Sequence, residues 1–361
     1  MKMRSLLFSV CCMLAVGLSF TSCSDDDDDL IDSGSTVNLP KTRAFFLNEG
    51  IMNSNNAGIT FYAPNKDAEQ IGDIYLVQNK KNLGDAGQDM ILYNNHMYVS
   101  VYGSKVLLKL NSAGVEQARL SFPEADGQPR YMAAEDGKLY ITLYSGKVAR
   151  INVSDLTIEG YVNVGKNPEE IVEEGDYLYV VNSGWGNDST LSVINRKEFK
   201  LSKTIEIAKN PFKILESEGQ IFTLAYGGTY PNYTYPVQKI DVANGKATTV
   251  ASATNMCEYN GTIYLVYGET NWNTYETTNT FFSYHVKTGV INEQSFLTDM
   301  PAELASKSIY MMAANPENGD LYIGTSDYTT NGDIYRFNRN GTFIEKIESG
   351  GISPSKAVFF N

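Results

Sequence analysis

A unit of about forty residues recurs down this chain, and a repeat of that length restricts the fold more than any single motif. Its centre is a turn residue, an apolar residue, an aromatic, then alternating apolar positions. It occurs as Asn95-His96-Met97-Tyr98-Val99, Gly137-Lys138-Leu139-Tyr140-Ile141, Asp176-Tyr177-Leu178-Tyr179-Val180 and Gly219-Gln220-Ile221-Phe222-Thr223. It returns as Gly261-Thr262-Ile263-Tyr264-Leu265 and Gly319-Asp320-Leu321-Tyr322-Ile323, so the aromatics lie 42, 39, 43, 42 and 58 residues apart. Short alternating strands at that period predict the four-stranded antiparallel blades of a β-propeller, since one such sheet cannot bury its faces alone. Pro129, Pro168 and Pro211 each stand 11 residues before an anchoring aromatic. Proline cannot donate to a ladder, so it belongs where a strand begins. Each unit therefore reads as proline entry, inner strand, tight turn, aromatic-bearing second strand, longer loop, third strand and outer strand. Helical patterning is nearly absent apart from a turn at Pro301–Ala305.

Six anchors give six blades. Ala44-Phe45-Phe46-Leu47-Asn48 adds a second strand with no inner strand before it, and Pro354–Phe360 reads as an inner strand with no second strand after it. Paired in one blade they remove the exposed edges of an open sheet. The expected fold is thus an all-β, seven-bladed propeller over residues 41–361, closed by its N- and C-terminal strands in one blade. Six blades with a separate flap is the alternative.

Strand order assigns loops to faces. The loop after each second strand and the entry to each inner strand share one end of the ring. The loops there hold Asn48 and Glu49, Tyr102, Tyr144, Trp185, the run from Tyr226 through Tyr230 and Tyr233, then Tyr267, Trp272 and Tyr275, and finally Tyr328. Both tryptophans of the chain fall in these loops, with tyrosines interleaved by Asn, Thr and Gly. Aromatic rings with polar tips give large, stiff contact area, and amides give adaptable hydrogen bonds. These residues are the ligand-binding candidates, joined by Arg130 and, beside it, Lys213 at inner-strand entries that approach the centre. Glu169-Glu170 and Glu173-Glu174 read as solvated strand ends.

The other chemistry is sparse. His96 and His285 are the only histidines, and no cluster offers the three or four ligands that zinc requires. No nucleophile relay, haem-attachment motif or regular carboxylate pair stands out. No catalytic residue, metal site or catalytic cofactor is assigned, and an enzyme with a site in the central channel is the less favoured alternative.

The first 22 residues read as an export signal, with Lys2 and Arg4 before the apolar stretch Leu6–Phe20. Thr21, Ser22 and Cys23 then resemble a bacterial lipobox, which implies lipidation of Cys23. Phe20 stands where such boxes usually carry Leu. Asp25–Asp29 cannot pack, because like charges repel and nothing apolar is available to bury. Residues 23–40 are therefore expected to form an acidic flexible tether reaching roughly 20–25 Å. The aspartate run also resembles the signal that sends Bacteroidota lipoproteins to the outer face of the outer membrane. Loss of Lys2 and Arg4 leaves 27 basic against 42 acidic residues, a balance of −15. No basic face is available to displace counterions, which argues against a nucleic-acid partner. Cys11 and Cys12 leave with the signal, so Cys257 is the one thiol of the mature domain, which must stand on its core rather than on disulfides.

The proline-entry and Leu-Tyr-Val unit resembles YncE-like and surface-layer-type propellers. Phe46-Leu47-Asn48-Glu49-Gly50, Leu83-Gly84-Asp85 with Gln88, Pro129-Arg130-Tyr131 and Gly351-Ile352-Ser353-Pro354 resemble the Bacteroidota lipoprotein branch of that family. The resemblance covers about residues 43 to 361. It implies a surface lipoprotein that captures cobalamin or another corrinoid and sits on a TonB-dependent outer-membrane transporter, attached to the membrane by lipid alone. It transfers no individual ligand contact. A protein- or glycan-binding module of the cell surface is the alternative function.

Overall fold

The anchoring aromatics stand in the second strands of successive blades, where Tyr98, Tyr140, Tyr179, Phe222 and Tyr322 are buried and Tyr264 is half-buried. The computed structural model describes residues 30–229, 232–271, 273–274 and 276–361. Six blades run inner strand to outer strand in chain order. Blade 1 is Gly87–Tyr93, His96–Val101, Val106–Leu110 and Glu116–Ser121; blade 2 begins at Pro129–Glu135, blade 3 at Pro168–Glu174 and blade 4 at Pro211–Ser217. Blade 5 begins at Asn255–Tyr259 and blade 6 at Ile309–Ala314. The three entry prolines are each the first residue of an inner strand, where no ladder donor is required.

Blade 7 closes the ring as the sequence predicts. Arg43–Asn48 pairs antiparallel with the C-terminal strand Pro354–Phe360 on one side and with Gly58–Tyr62 on the other, with Phe46 opposite Ala357. Its fourth position is reduced to one bridge, in which Phe61 and Ile71 exchange both backbone hydrogen bonds at 2.9 and 3.1 Å. The seven inner strands touch one another in sequence, with Pro354–Phe360 lying between the inner strands of blades 6 and 1. Buried apolar clusters fill the space between neighbouring blades, so each blade completes the core of the next. At the closure Phe45 packs against Phe61 and Phe360 at ring-centroid distances of 5.9 and 5.7 Å. Each such fully buried side chain contributes about 1.5–3 kcal/mol.

The turn at 301–305 is a 3₁₀ helix over Ala302–Ser306. One short α-helix, Ile74–Asn79, went unpredicted; Asp73 caps it by accepting from the Leu76 N–H at 3.1 Å. No helix among the described residues is long and apolar enough to cross a membrane. Cys23 lies outside the described residues. The described part of the expected tether, residues 30–40, is not free. Leu30, Val37 and Leu39 pack on the core between blades 7 and 1. Thr36 donates through its N–H and its hydroxyl to Gln78 at 2.8 and 2.9 Å, and the buried Arg43 guanidinium donates to both Asp32 carboxylate oxygens at 3.1 and 2.8 Å. Apolar residues follow the aspartate run, and they have a groove to fill. This segment crosses the Asn111–Val115 turn, on the end of the ring opposite the inner-strand entries.

Candidate functional site

Because every inner strand starts at the same end, residues one and two places past the entry prolines converge on the axis. A central funnel of about 330 Å³ opens there, lined from all seven blades. Blade 1 contributes Gln88, blade 2 Arg130 and Tyr131, blade 3 Glu170 and blade 4 Phe212, Lys213 and Tyr226. Thr254 and Asn255, Ile309 and Tyr310, and finally Glu49, Ser355 and Lys356 complete the wall from blades 5, 6 and 7.

Two charge clusters hold this wall. In the first, Arg130 donates through Nε (3.0 Å) and Nη2 to Glu169 and through Nη1 to Gln88. Its guanidinium also lies over the rings of Tyr144, Tyr131 and Tyr102, at 4.6, 5.1 and 5.4 Å. Burial disfavours the Arg130 charge, yet the Tyr131, Glu169 and Tyr144 groups around it outweigh that and raise its pKa. Glu169 further accepts from the Tyr144 hydroxyl at 2.7 Å and the Ser183 hydroxyl at 2.9 Å. In the second cluster, Lys356 bridges Glu170 (3.1 Å) and Asp89 (3.4 Å) and lies 4.9 Å above the Tyr131 ring. Burial alone would raise the Glu170 carboxyl, but Lys356 and Lys213 hold it below the usual range. Asp89 is raised by burial against the pull of Lys356. Lys213, 3.9 Å from Glu170, is lowered by burial.

Glu49 faces the same funnel, accepts from the Tyr310 hydroxyl, and is raised by burial. The Tyr310 ring stands edge-on to Tyr328 at 5.7 Å.

Around the mouth lies an aromatic rim. Tyr102, Tyr144 and Trp185 follow one another edge to face, at 5.5 and 6.2 Å between ring centroids. Tyr226 touches Tyr233 and Tyr235 at 5.3 and 4.9 Å, and Tyr235 meets Tyr267 at 6.0 Å. The loop after the second strand of blade 4 forms its own ribbon, Gly227–Thr229 with Asn232–Thr234, and the blade 5 hairpin extends its ladder to Asn271 and Glu276. Between them a side pocket of about 190 Å³ is lined by Tyr226, Tyr235, Thr270, Asn279 and Tyr328, among others. Trp185 is 70% exposed and Tyr328 59%, and both hold left-handed backbone at φ 52° and 65°. Such a conformation is uncommon for a bulky residue and persists only where the surroundings impose it.

Nine of the candidate residues, Glu49, Tyr102, Arg130, Tyr144, Trp185, Tyr226, Tyr233, Tyr267 and Tyr328, come together at this end. Tyr230, Trp272 and Tyr275 lie outside the described residues. Asn48 does not belong to the face. Its side chain turns inward and is fully buried, donating to Thr60 Oγ1 at 2.9 Å and to the Ser349 carbonyl at 3.0 Å, which ties blade 7 to the outer strand of blade 6. The expectation that Glu169 and Glu170 are solvated is also overturned: both are buried, because Arg130 and Lys356 compensate them. Tyr131, Glu169, Glu170, Tyr310 and Lys356 are site residues that the loop reading missed. The proline register could have found four of them, since Tyr131, Glu170, Lys213 and Lys356 all stand two places after an entry proline and Glu169 stands one place after.

A second cleft of about 400 Å³ lies on the outside of the ring at Lys66, Gln70, Glu345 and Gly350. It collects groups from blades 6 and 7 only and lacks the enclosed charge pairs of the funnel. Among the described residues no three His, Cys, Asp or Glu side chains are placed to hold a metal ion.

Residues 43–360 match the family model described as Domain of unknown function (DUF5074). No curated protein matches the sequence. Among solved structures the chain is similar to hydrazine synthase of Kuenenia stuttgartiensis, at 18% identity and TM-score 0.57, over 68% of this chain and 74% of that one. It is similar to the WD40 domain of Pan2 from Neurospora crassa, at 10% identity and TM-score 0.57, over 80% and 84%. BamB from Moraxella catarrhalis is similar at 11% identity and TM-score 0.51, over 90% and 88%. At these identities the likeness speaks for the propeller fold.

Proposed function

From the premise that this chain belongs to the DUF5074 family, we propose that it works by binding a large amphipathic ligand on the funnel end of its propeller. One observation carries the reading: a funnel walled by all seven blades opens within a rim of aromatic rings, three of them exposed and two held in left-handed backbone. Rings of that kind supply stiff contact area at low entropic cost. Most charges of the funnel are paired with one another, which favours an uncharged, amide-rich partner over a polyanion.

A corrinoid is the ligand proposed, in keeping with the family resemblance of the proline-entry repeat. It is partly apolar and rich in amides. It is also larger than a 330 Å³ funnel, so its macrocycle would rest on the rim with one side arm turned inward. Lipidation at Cys23, display on the outer face of an outer membrane and delivery to a TonB-dependent transporter belong to the same proposal, supported by the aspartate run after the cysteine. The proposal includes no catalytic step.

Calorimetric titration of the purified protein with cyanocobalamin tests the ligand. One site per chain is expected; absence of heat removes the corrinoid and leaves a protein or glycan as the partner to seek. The mass of the protein extracted from membranes tests the anchor, which requires a diacylated N-terminal cysteine.

A further inference from the structure

The funnel satisfies its charged groups unevenly. Arg130 is bonded to Glu169 and Gln88, and Lys356 to Glu170 and Asp89. Lys213 is different. Its nearest carboxylate oxygen, on Glu170, is 3.9 Å away and already taken by Lys356 at 3.1 Å. That is beyond hydrogen-bond range, so among the described residues the three ammonium donors of Lys213 have no acceptor. The Tyr131 hydroxyl, which lines the same cavity, likewise has no hydrogen-bond partner among the described residues. Glu49, lining the same cavity, uses one carboxyl oxygen for Tyr310 and leaves the other unengaged. One cavity thus holds an open donor set and an open acceptor.

The charge count selects what fits between them. Arg130, Lys213 and Lys356 stand against Glu49, Asp89, Glu169 and Glu170. An added anion would meet Glu49 and Glu170 as well as Lys213, and an added cation would meet the Lys213 and Lys356 ammoniums. Either brings a desolvated charge against like charges, which is costly. A group that is neutral but carries both an acceptor and a donor meets neither penalty.

We propose that the funnel is a subsite for one uncharged primary-amide group, whose carbonyl accepts from the Lys213 ammonium and the Tyr131 hydroxyl while its NH₂ donates to Glu49. This rests on the reading that the funnel end is the ligand face, and it names the part of the ligand that enters.

Propionamide and propionate, alike in shape and different in charge, are the probes. Saturation-transfer NMR on the purified protein should show propionamide bound and propionate at least threefold weaker. Lys213→Met and Tyr131→Phe should each lower the propionamide signal, Lys213→Met by at least fivefold, with unchanged melting temperatures confirming the fold. Equal or stronger binding of propionate, or propionamide binding indifferent to both substitutions, overturns the proposal. Cyanocobalamin provides the separating arm. If it gives no heat while propionamide binds and depends on Lys213, the corrinoid reading fails and the subsite stands. If it binds while propionamide does not, the subsite fails and the ligand face stands.

Discussion

The same strands end at both faces of the ring, yet the two faces are closed by different means. Away from the funnel, inner and second strands of blades 1 to 5 join through two-residue turns. Asn94-Asn95, Asp136-Gly137, Glu218-Gly219 and Asn260-Gly261 have positive φ at both central positions. That is the type I′ geometry whose twist matches the flanking strands, so strand physics dictates these residues and they repeat. The funnel end carries loops of unequal length, a separate ribbon and an extended hairpin, none of which repeats. One end is what closing the sheets requires. The other is free to differ from blade to blade, and recognition can be built only where the blades differ.

The comparison is sharpest if stability and binding divide between the two ends, and Lys356 is the residue most able to break it. It sits at the funnel end but holds two enclosed carboxylates. Lys356→Met should destabilise the protein by roughly 2–4 kcal/mol, below the range for a fully buried pair because the lysine side chain is about a quarter exposed. Without the cation, Asp89 and Glu170 are both raised in the folded state. A raised carboxyl favours folding below its unfolded pKa of about 4 and loses that contribution as pH rises through the folded value. The deficit in thermal unfolding should therefore be larger at pH 8 than at pH 5; an equal deficit at both would assign the loss to packing alone.

Asp32 tests the opposite end. Asp32→Asn leaves the buried Arg43 guanidinium without its carboxylate. Because Asp32 itself is about a third exposed, the expected loss is roughly 1–2 kcal/mol. Ligand affinity should not change. A parallel fall in affinity would show that the docked segment and the funnel are coupled through blade 7.

The ring was legible because its signals are backbone requirements. An aromatic in the second strand recurs in six blades, a left-handed turn in five and a proline at a strand start in four, so the repeats reinforced one another. Terminal closure followed by counting. The buried charges were not legible in the same way. Glu169-Glu170 looks the same in sequence whether solvated or enclosed, and only Arg130 and Lys356, which stand 39 and 186 residues away, decide it. Asn48 misled for the opposite reason: it ends a strand beside a loop, and whether its amide turns outward or toward Ser349 depends on a strand 301 residues later. Leu30, Val37 and Leu39 read as tether because the aspartates before them are so polar, while the groove they fill exists only once the ring has closed.

Trp185 carries the smallest expected effect on stability and sharpens the comparison most. It lies between Gly184 and Gly186, all three with positive φ, and its ring meets Tyr144 edge-on. A non-glycine residue in left-handed backbone costs about 1–2 kcal/mol. Trp185→Gly relieves that strain and gives up a ring that stands mostly in solvent, so its melting temperature should equal or slightly exceed the wild type's. Trp185→Ala keeps the strain and should melt slightly lower than the glycine variant. Both should weaken cyanocobalamin at least tenfold if the rim contacts the ligand. A drop of several degrees in both variants would make Trp185 packing between blades 2 and 3. Unchanged affinity would reduce the difference between the two ends to loop length alone, because an exposed aromatic in a strained conformation would then serve neither stability nor recognition.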